Sequence, residues 1–503
     1  MHWADAFTKD LTGQQVISTG ISPSGPIHVG NMREILTGDL IYKASVDKGL
    51  NSRFIYLCDD MDPLRKVYPF LPQTYSQHVG KPLYVIPAPA GDGKYSEYFL
   101  APFLKTLEVI NVKVEVLRTS DLYRKGLFTE AIDIVMKNQD RIRKILEDVS
   151  GREIETDWAP YNPICSRCGK INSTAVVSYS FPYIEYSCKC GNTGKADIRK
   201  DDGKLPWRIE WPAKWFALGV TVEPFGKDHG AAGGSYDTGK KILEEIFGKN
   251  APKPLIYERI FLKGKGAMHS STGINIPASD MVEFAPPEIL RFLIARSQPG
   301  RHIDFDPGLG LLNLIDEYEK YEDAYFNREE ISNDDSRRIY ELSRIDTGKK
   351  EDLISFRHLI TLVQIYPKEN QMLVAIQRNG YNHASITPEL SNKIKVVKAW
   401  LGKYAPDQVK FSILPLDSTV SLDDREKGLI REFRKRIEGM EWQPDQIHNG
   451  VHELIKSSEF DTKEGFSVFY KVLIGKDKGP RLGYFLSNMD RKWVETRFEK
   501  VVS

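Results

Sequence analysis

One junction near the start of the chain constrains the fold more than any other. A short apolar run, QQVISTGI (residues 14–21), ends in the turn SPSGP. From Asn31 the apolar period changes: Met32, Ile35, Leu36, Leu40 and Ala44 fall at helical spacing, and Gly49 closes the helix. A strand that turns through glycine and proline straight into a helix is half of a βαβ unit. The pattern repeats with a strand at 52–58, a helix at 96–109, a strand at 112–117 and a long amphipathic helix over 128–149. Strands separated by helices predict a parallel sheet of the nucleotide-binding kind.

Residues 151–206 break this pattern. They lack helical periodicity and hold four of the five cysteines. The alternation returns with VTVEPFGKDHG, a helix at 236–247 and a strand at 254–262, followed directly by the polar, glycine-rich segment KGKGAMHSSTG (263–273). Its place after the last strand favours a phosphate-handling loop over a hairpin tip. Beyond residue 306 helical patterns dominate, as in 353–366 and 391–404. A chain of 503 residues exceeds one core and predicts two to four domains.

Composition narrows the class. With 41% apolar and 28% charged residues the chain is ordinary globular material, and a net charge of +1 confines any nucleic-acid binding to local patches. Two such patches are REKGLIREFRKRIEGM (425–440) and KGPRLG (478–483), each equally readable as a solvated helix face. No apolar run reaches membrane-spanning length and no signal peptide is visible, so the expectation is a cytoplasmic protein with no membrane partner. An odd number of cysteines agrees with reduced thiols. Cys165, Cys168, Cys188 and Cys190 form C-x-x-C and C-x-C knuckles 19 residues apart. Four thiolates close a tetrahedron, so the pattern predicts a structural Zn2+ site; the alternatives are two free thiol pairs or a redox switch.

In GISPSGPIHVGNMREIL, Gly25 and Gly30 allow close backbone approach, and His28 and Asn31 stand at the helix mouth, where N–H groups and the macrodipole favour an anion. Taken alone, a single His there reads more readily as a cap. The next strand ends in CDDMDP, placing Asp59, Asp60 and Asp62 where open α/β sheets bind ligands, with a solvated turn as the alternative. Gly226, Asp228 and His229 end a later strand in a ribose-and-base-site arrangement, with Asp228 suited to accept from sugar hydroxyls.

The segment P-I-H-V-G-N resembles the HIGH signature of class I aminoacyl-tRNA synthetases, and MHSSTG stands where the KMSKS signature would stand. The surrounding words resemble one family, class I lysyl-tRNA synthetase: ISPSGPIHVGN with REILTGD, the DD-x-D-x-x-RK strand end at 59–66, WRIEWP at 207–212, GKDH-GAAGGSYDTG, and GPRLGYFL at 479–486. The likeness implies a Rossmann-type α/β parallel-sheet catalytic domain with an inserted zinc-knuckle subdomain, followed by an all-α C-terminal domain. Its expected bounds are 1–150 and 207–280 for the catalytic halves, 151–206 for the insertion, 281–334 for stem-contact helices, and 335–503 for an anticodon-binding domain.

The resemblance implies adenylation of L-lysine with ATP, Mg2+ arriving with ATP, and transfer to the terminal ribose of tRNA(Lys), by a monomer. His28 and Asn31 would donate to the ATP phosphates, with Pro23, Gly25, Gly30, Gly226, Asp228, Met268, Ser270 and Ser271 completing that site. Gly20, Ser22, Trp207, His229 and Tyr257 match the family's lysine pocket. The ε-ammonium needs a carboxylate in a dry site, and Asp59, Asp60, Asp62 and Glu258 are the candidates. One departure stands out: aligned on Met268, the family's lysine slots hold other residues, leaving Lys265 and His269 as substitutes. That leaves a catalytically weakened or inactive tRNA- or lysine-binding paralogue as the alternative reading, and an arginyl-tRNA synthetase as a lesser one.

Overall fold

The computed structural model describes residues 1–151, 153–155, 158–268, 275–327, 334–345, 354–381 and 383–503. His269, Ser270 and Ser271 lie outside the described residues. The chain divides into two compact units. The first begins α1 (Trp3–Thr8), β1 (Gln15–Ile21), α2 (Val29–Asp47), β2 (Ser52–Cys58), α3 (Tyr95–Val109), β3 (Glu115–Arg118), α4 (Thr119–Arg124), α5 (Thr129–Lys137) and α6 (Gln139–Ser150). The insertion carries β4 (Asn162–Pro163), β5 (Thr174–Ser180), β6 (Tyr183–Cys188), β7 (Thr193–Asp197) and β8 (Gly203–Lys204). Then follow α7 (Trp207–Leu218), β9 (Val222–Gly226), α8 (Ser235–Glu245), β10 (Lys253–Tyr257), β11 (Ile260–Leu262), β12 (Gly266–Ala267), α9 (Ala278–Phe284), α10 (Pro287–Ala295) and β13 (Ile303–Phe305).

The main sheet, among the described residues, has the order β10-β9-β1-β2-β3, and every neighbouring pair is parallel. The chain builds outward from β1 through β2 to β3, then returns to place β9 and β10 on the other side. Strand order therefore reverses between β1 and β9, which is where open α/β sheets leave a crevice. The β1–β9 ladder is confined to Ile17 opposite Val222, so the carboxyl ends of these strands part beyond it. Helix α2 lies close on the sheet because Gly38 has no side chain: a Cβ there would sit 2.6 Å from Phe54 and 2.7 Å from Thr19. α2 is covered on almost all sides. Asp39 pairs with buried Arg291 of α10, which also donates to the carbonyls of Ile110 and Leu342.

Three sequence expectations change. The amphipathic run 128–149 is two helices that meet at Asn138, not one. The strand expected over 254–262 splits into β10, in the main sheet, and β11, in a separate sheet with β12 and β13. The tip Lys263–Gly266 turns the β11–β12 hairpin, with Gly264 and Gly266 at positive φ and the Lys265 N–H bonded to the Leu262 carbonyl. The described part of KGKGAMHSSTG thus has the backbone of a hairpin tip.

The second unit comprises residues 283–286, 306–329 and 348–503. The helix Asp334–Ser343 belongs to the first unit, tied by Arg338 to Asp5 and Asp47. The helical unit therefore draws on residues before the expected 335, is interrupted by a return to the first unit, and resumes at 348, so the span 281–334 is shared between units. Helices in the second unit start where Ser355, Thr387, Asp423, Asp461 and Asp490 each accept the N–H of the third helical residue. A cluster including Phe433, Ile447, Phe469, Phe485 and Phe498 forms its core. The basic helix Asp424–Ile437 spends much of its charge internally: Arg434 on Glu499, Lys435 on Glu432 and Arg425 on Glu459. No helix among the described residues is long and apolar enough to cross a membrane.

Candidate active site

Two adjoining cavities, about 440 and 300 Å³, open at the carboxyl ends of the parallel strands. They share Ser24, Gly30, Asn31, Glu34, His229 and Tyr257. The larger also meets His28, Gly226, Asp228, Arg259, Ile260, Met268, Tyr68 and Phe70. The smaller adds Gly20, Ser22 and Gly25.

His28 caps α2 in extended conformation, and its backbone N–H donates to Asn31 Oδ1 at 3.1 Å. That bond fixes the Asn31 carboxamide with its NH2 as the donor end. Gly30 is required by the imidazole: a Cβ there would meet the His28 ring at 2.8 Å. The first turn of α2 thus presents backbone N–H groups beside an imidazole and an amide, an arrangement that attracts anions.

Sequence reasoning missed Glu34. It sits one turn further along α2 and lines both cavities. It accepts the Gly20 N–H at 3.0 Å and the Tyr257 hydroxyl. Burial pushes its carboxyl up to about 7, against the pull of those two donors. A carboxyl held near neutrality in a polar pocket is suited to a cation that binds and ionises it. The available signal was REILTGD, where charged residues interrupt a helix that is apolar on both flanks.

The aspartates expected to receive the ammonium are occupied. Asp59 pairs with Lys214 and accepts from Thr119 at 2.9 Å. Asp60 caps α4 through Ser120, accepting its N–H at 2.8 Å and its hydroxyl at 2.5 Å. Asp62 pairs with Lys204 at 2.7 Å and accepts from Ser22. Lys204 and Lys214 also meet on Glu210 Oε2, at 2.9 and 3.1 Å, and Tyr123 donates to Glu210 at 2.8 Å. Both lysines come from distant sequence, so neither pairing could be read locally. Glu258, the fourth candidate, pairs with Lys227 at 2.7 Å and lines neither cavity.

Trp207 lines neither cavity; it packs tilted against His229 (ring centroids 5.1 Å apart) and stacks on Trp211. Burial lowers the His229 pKa and favours a neutral ring. Pro23 also lies outside both linings, whereas Met268 leaves the hairpin and contacts the larger cavity. Asp228 reaches that cavity but shares its carboxylate with Arg259. Arg259 is the second missed residue, a cation in the cavity wall just past β10. Lys265 is exposed and lines neither cavity.

The four cysteines converge, their sulfurs within 4.8 Å of one another. Cys165 and Cys190 are 3.7 Å apart, as are Cys168 and Cys188. A tetrahedron with arms of about 2.3 Å has edges of about 3.8 Å, so the donor set fits Zn2+.

The family model for tRNA synthetases class I (K) matches residues 1–346. A lysine–tRNA ligase of Picrophilus torridus is 57% identical, covering 100% of this chain and 99% of its own. The chain belongs to the class I lysyl-tRNA synthetases. A second member of this synthetase family, the lysine–tRNA ligase of Thermoplasma acidophilum, is 54% identical over 100% of this chain and 99% of its own. A solved glutamate-tRNA synthetase from Elizabethkingia anophelis aligns with 97% of this synthetase chain and 99% of its own, at 13% identity and a TM-score of 0.47.

Proposed function

We infer that this chain activates L-lysine with ATP, releasing pyrophosphate, and ligates the lysine to tRNA(Lys). The observation that carries the residue assignment is Glu34, a half-buried carboxyl shared by both cavities and bonded by Tyr257, one helical turn from the anion-attracting start of α2. Glu34 and Tyr257 receive the ε-ammonium, and Gly20, Ser22 and His229 surround the rest of lysine, with Trp207 backing His229. The ammonium ionises Glu34 as it binds, which compensates the desolvation of both charges.

The lysine carboxylate attacks the α-phosphorus in line, and the bond to the bridging oxygen of pyrophosphate breaks. No covalent enzyme intermediate is needed, so positioning and charge stabilisation carry the rate. Backbone N–H groups of α2, the His28 ring, the Asn31 amide and Arg259 meet the phosphate charge, and Mg2+ accompanies ATP. Arg259 in the cavity wall supports an active enzyme despite the missing signature lysines; Lys265 and His269 remain auxiliary candidates. The terminal ribose hydroxyl of tRNA(Lys) then attacks the acyl carbon, and AMP leaves. Cys165, Cys168, Cys188 and Cys190 hold a structural Zn2+, and the helical unit is assigned to the anticodon end of the tRNA.

Lysine-dependent ATP–pyrophosphate exchange, run with and without tRNA(Lys), tests the reading. Exchange with lysine and none with arginine is expected. Absence of exchange under both conditions in folded, zinc-loaded protein refutes it.

A further inference from the structure

Between β2 and α3 the chain forms a small core of its own, built from Leu64, Tyr68, Leu71, Tyr75, Leu83, Ile86, Tyr95 and Phe99. Backbone bonds brace it: Leu64 N–H to the Lys81 carbonyl and Gly80 N–H to the Leu64 carbonyl, both 2.9 Å. Tyr95 anchors it to the turn after β1, donating to the Ser24 carbonyl at 2.7 Å. Against this core a large ring rests in the open on the cavity side. Phe70 is 37% exposed, stacks on Tyr68 (centroids 5.4 Å apart, planes at 11°) and rests edge-on against Phe99. Tyr68 and Phe70 both face the larger cavity, and neither has a role in the lysine and phosphate assignments above.

An exposed Phe70 ring backed by the buried Tyr68 at the cavity wall suits a flat π-faced ligand. Exposed Arg65 and Lys66 immediately precede it, with the Lys66 ammonium 5.8 Å from the Tyr68 ring centroid, so a neighbouring phosphate is also provided for. Aromatic rings beside cations form the pattern that binds unpaired nucleotides. An adenine could come from ATP or from the unpaired 3′ end of the tRNA, and topology favours the second. Asp228, Ile260 and Met268 lie past β9, on one side of β1, whereas Tyr68 and Phe70 follow β2, on the other. With the ATP ribose assigned to the Asp228 side, the aromatic pair lies across the cavity from it.

We propose that Tyr68 and Phe70 form a stacking platform for the 3′-terminal adenosine of the tRNA, with Arg65 and Lys66 holding its backbone phosphates. The assignment rests on the ligase reading. It explains why a short connection carries its own core: the ring must stay in place before the tRNA arrives.

The test is a cycle of enzyme and tRNA variants in direct binding, using tRNA(Lys) intact or lacking its terminal adenosine. The unmodified enzyme binds the intact tRNA tighter by roughly tenfold. Phe70→Ala and Phe70→Leu abolish that preference, and Phe70→Trp restores it, while KM for ATP in exchange stays within about twofold. An unchanged preference for the terminal adenosine in Phe70→Ala overturns the proposal. A raised KM for ATP with that preference intact reassigns the platform to ATP. Failure of lysine-dependent exchange in the unmodified enzyme strikes the ligase reading instead, and the binding cycle still reports on the platform. Phe70→Leu keeps apolar bulk against Phe99, so it separates loss of the π-face from loss of packing.

Discussion

Glu34 makes lysine affinity depend on pH in a calculable way. In the free enzyme its carboxyl is raised to about 7 by desolvation in the pocket wall. The ammonium of lysine needs the ionised form, and its own pKa, about 10.4, keeps it charged throughout. The ionised fraction is about nine tenths at pH 8, one half at pH 7 and one tenth at pH 6. The apparent Kd for lysine therefore rises about tenfold from pH 8 to pH 6, most of it below 7. Binding at pH 7 releases about half a proton, measurable by titration calorimetry in two buffers of different ionisation enthalpy. Glu34→Gln removes both the proton release and this pH dependence. It weakens binding by on the order of 10²-fold, since a charge-assisted hydrogen bond is worth about 1.5–3 kcal/mol. The fold has the opposite sensitivity: a carboxyl raised on folding contributes stability below its unfolded pKa of about 4.5, which is lost as pH rises through about 7. Glu34→Gln should thus gain thermal stability relative to the parent between pH 5 and pH 8. Lysine binding without proton release at pH 7, or a Gln variant keeping the tenfold pH dependence, refutes the assignment of Glu34 to the ammonium.

Further outcomes follow from the same geometry. Lys204→Met leaves Asp62 and Glu210 buried with less counter-charge and costs about 3–5 kcal/mol of stability by denaturant titration; a change below 1 kcal/mol would show that the cluster relaxes. Arg259→Ala lowers kcat for exchange by about 10²-fold, by analogy with removing a transition-state donor, with KM for lysine little changed. The reverse pattern would move Arg259 to the lysine site. Cys165→Ser lowers bound zinc from one equivalent per chain, read by metal analysis, and the Co2+ form of the parent shows thiolate charge-transfer absorption; full zinc retention in the Ser variant would exclude Cys165 as a ligand.

The strand-turn-helix at 14–47 was legible because two periodicities meet at a glycine- and proline-rich turn, and the structure forms β1 and α2 there. The cysteine spacing likewise anticipated four sulfurs in one cluster. The break at Asn138 and the split after Tyr257 were not legible. Both runs remain apolar in pattern, and only the packing partners decide where the backbone bends.

Local pattern by itself determined the alternation of strand and helix, the anion-attracting start of α2 and the four-thiol cluster, because each depends on residues close in the chain. Which carboxylate is available to a ligand was decided only in three dimensions. Asp59 and Asp62 looked open until Lys214 and Lys204, about 150 residues away in sequence, supplied their counter-charges. Glu34 was one unremarked polar position in a helical pattern until Gly20 and Tyr257 were brought against it. Burial and ion pairing set the charge state of such groups, and both depend on neighbours that only the tertiary fold brings together.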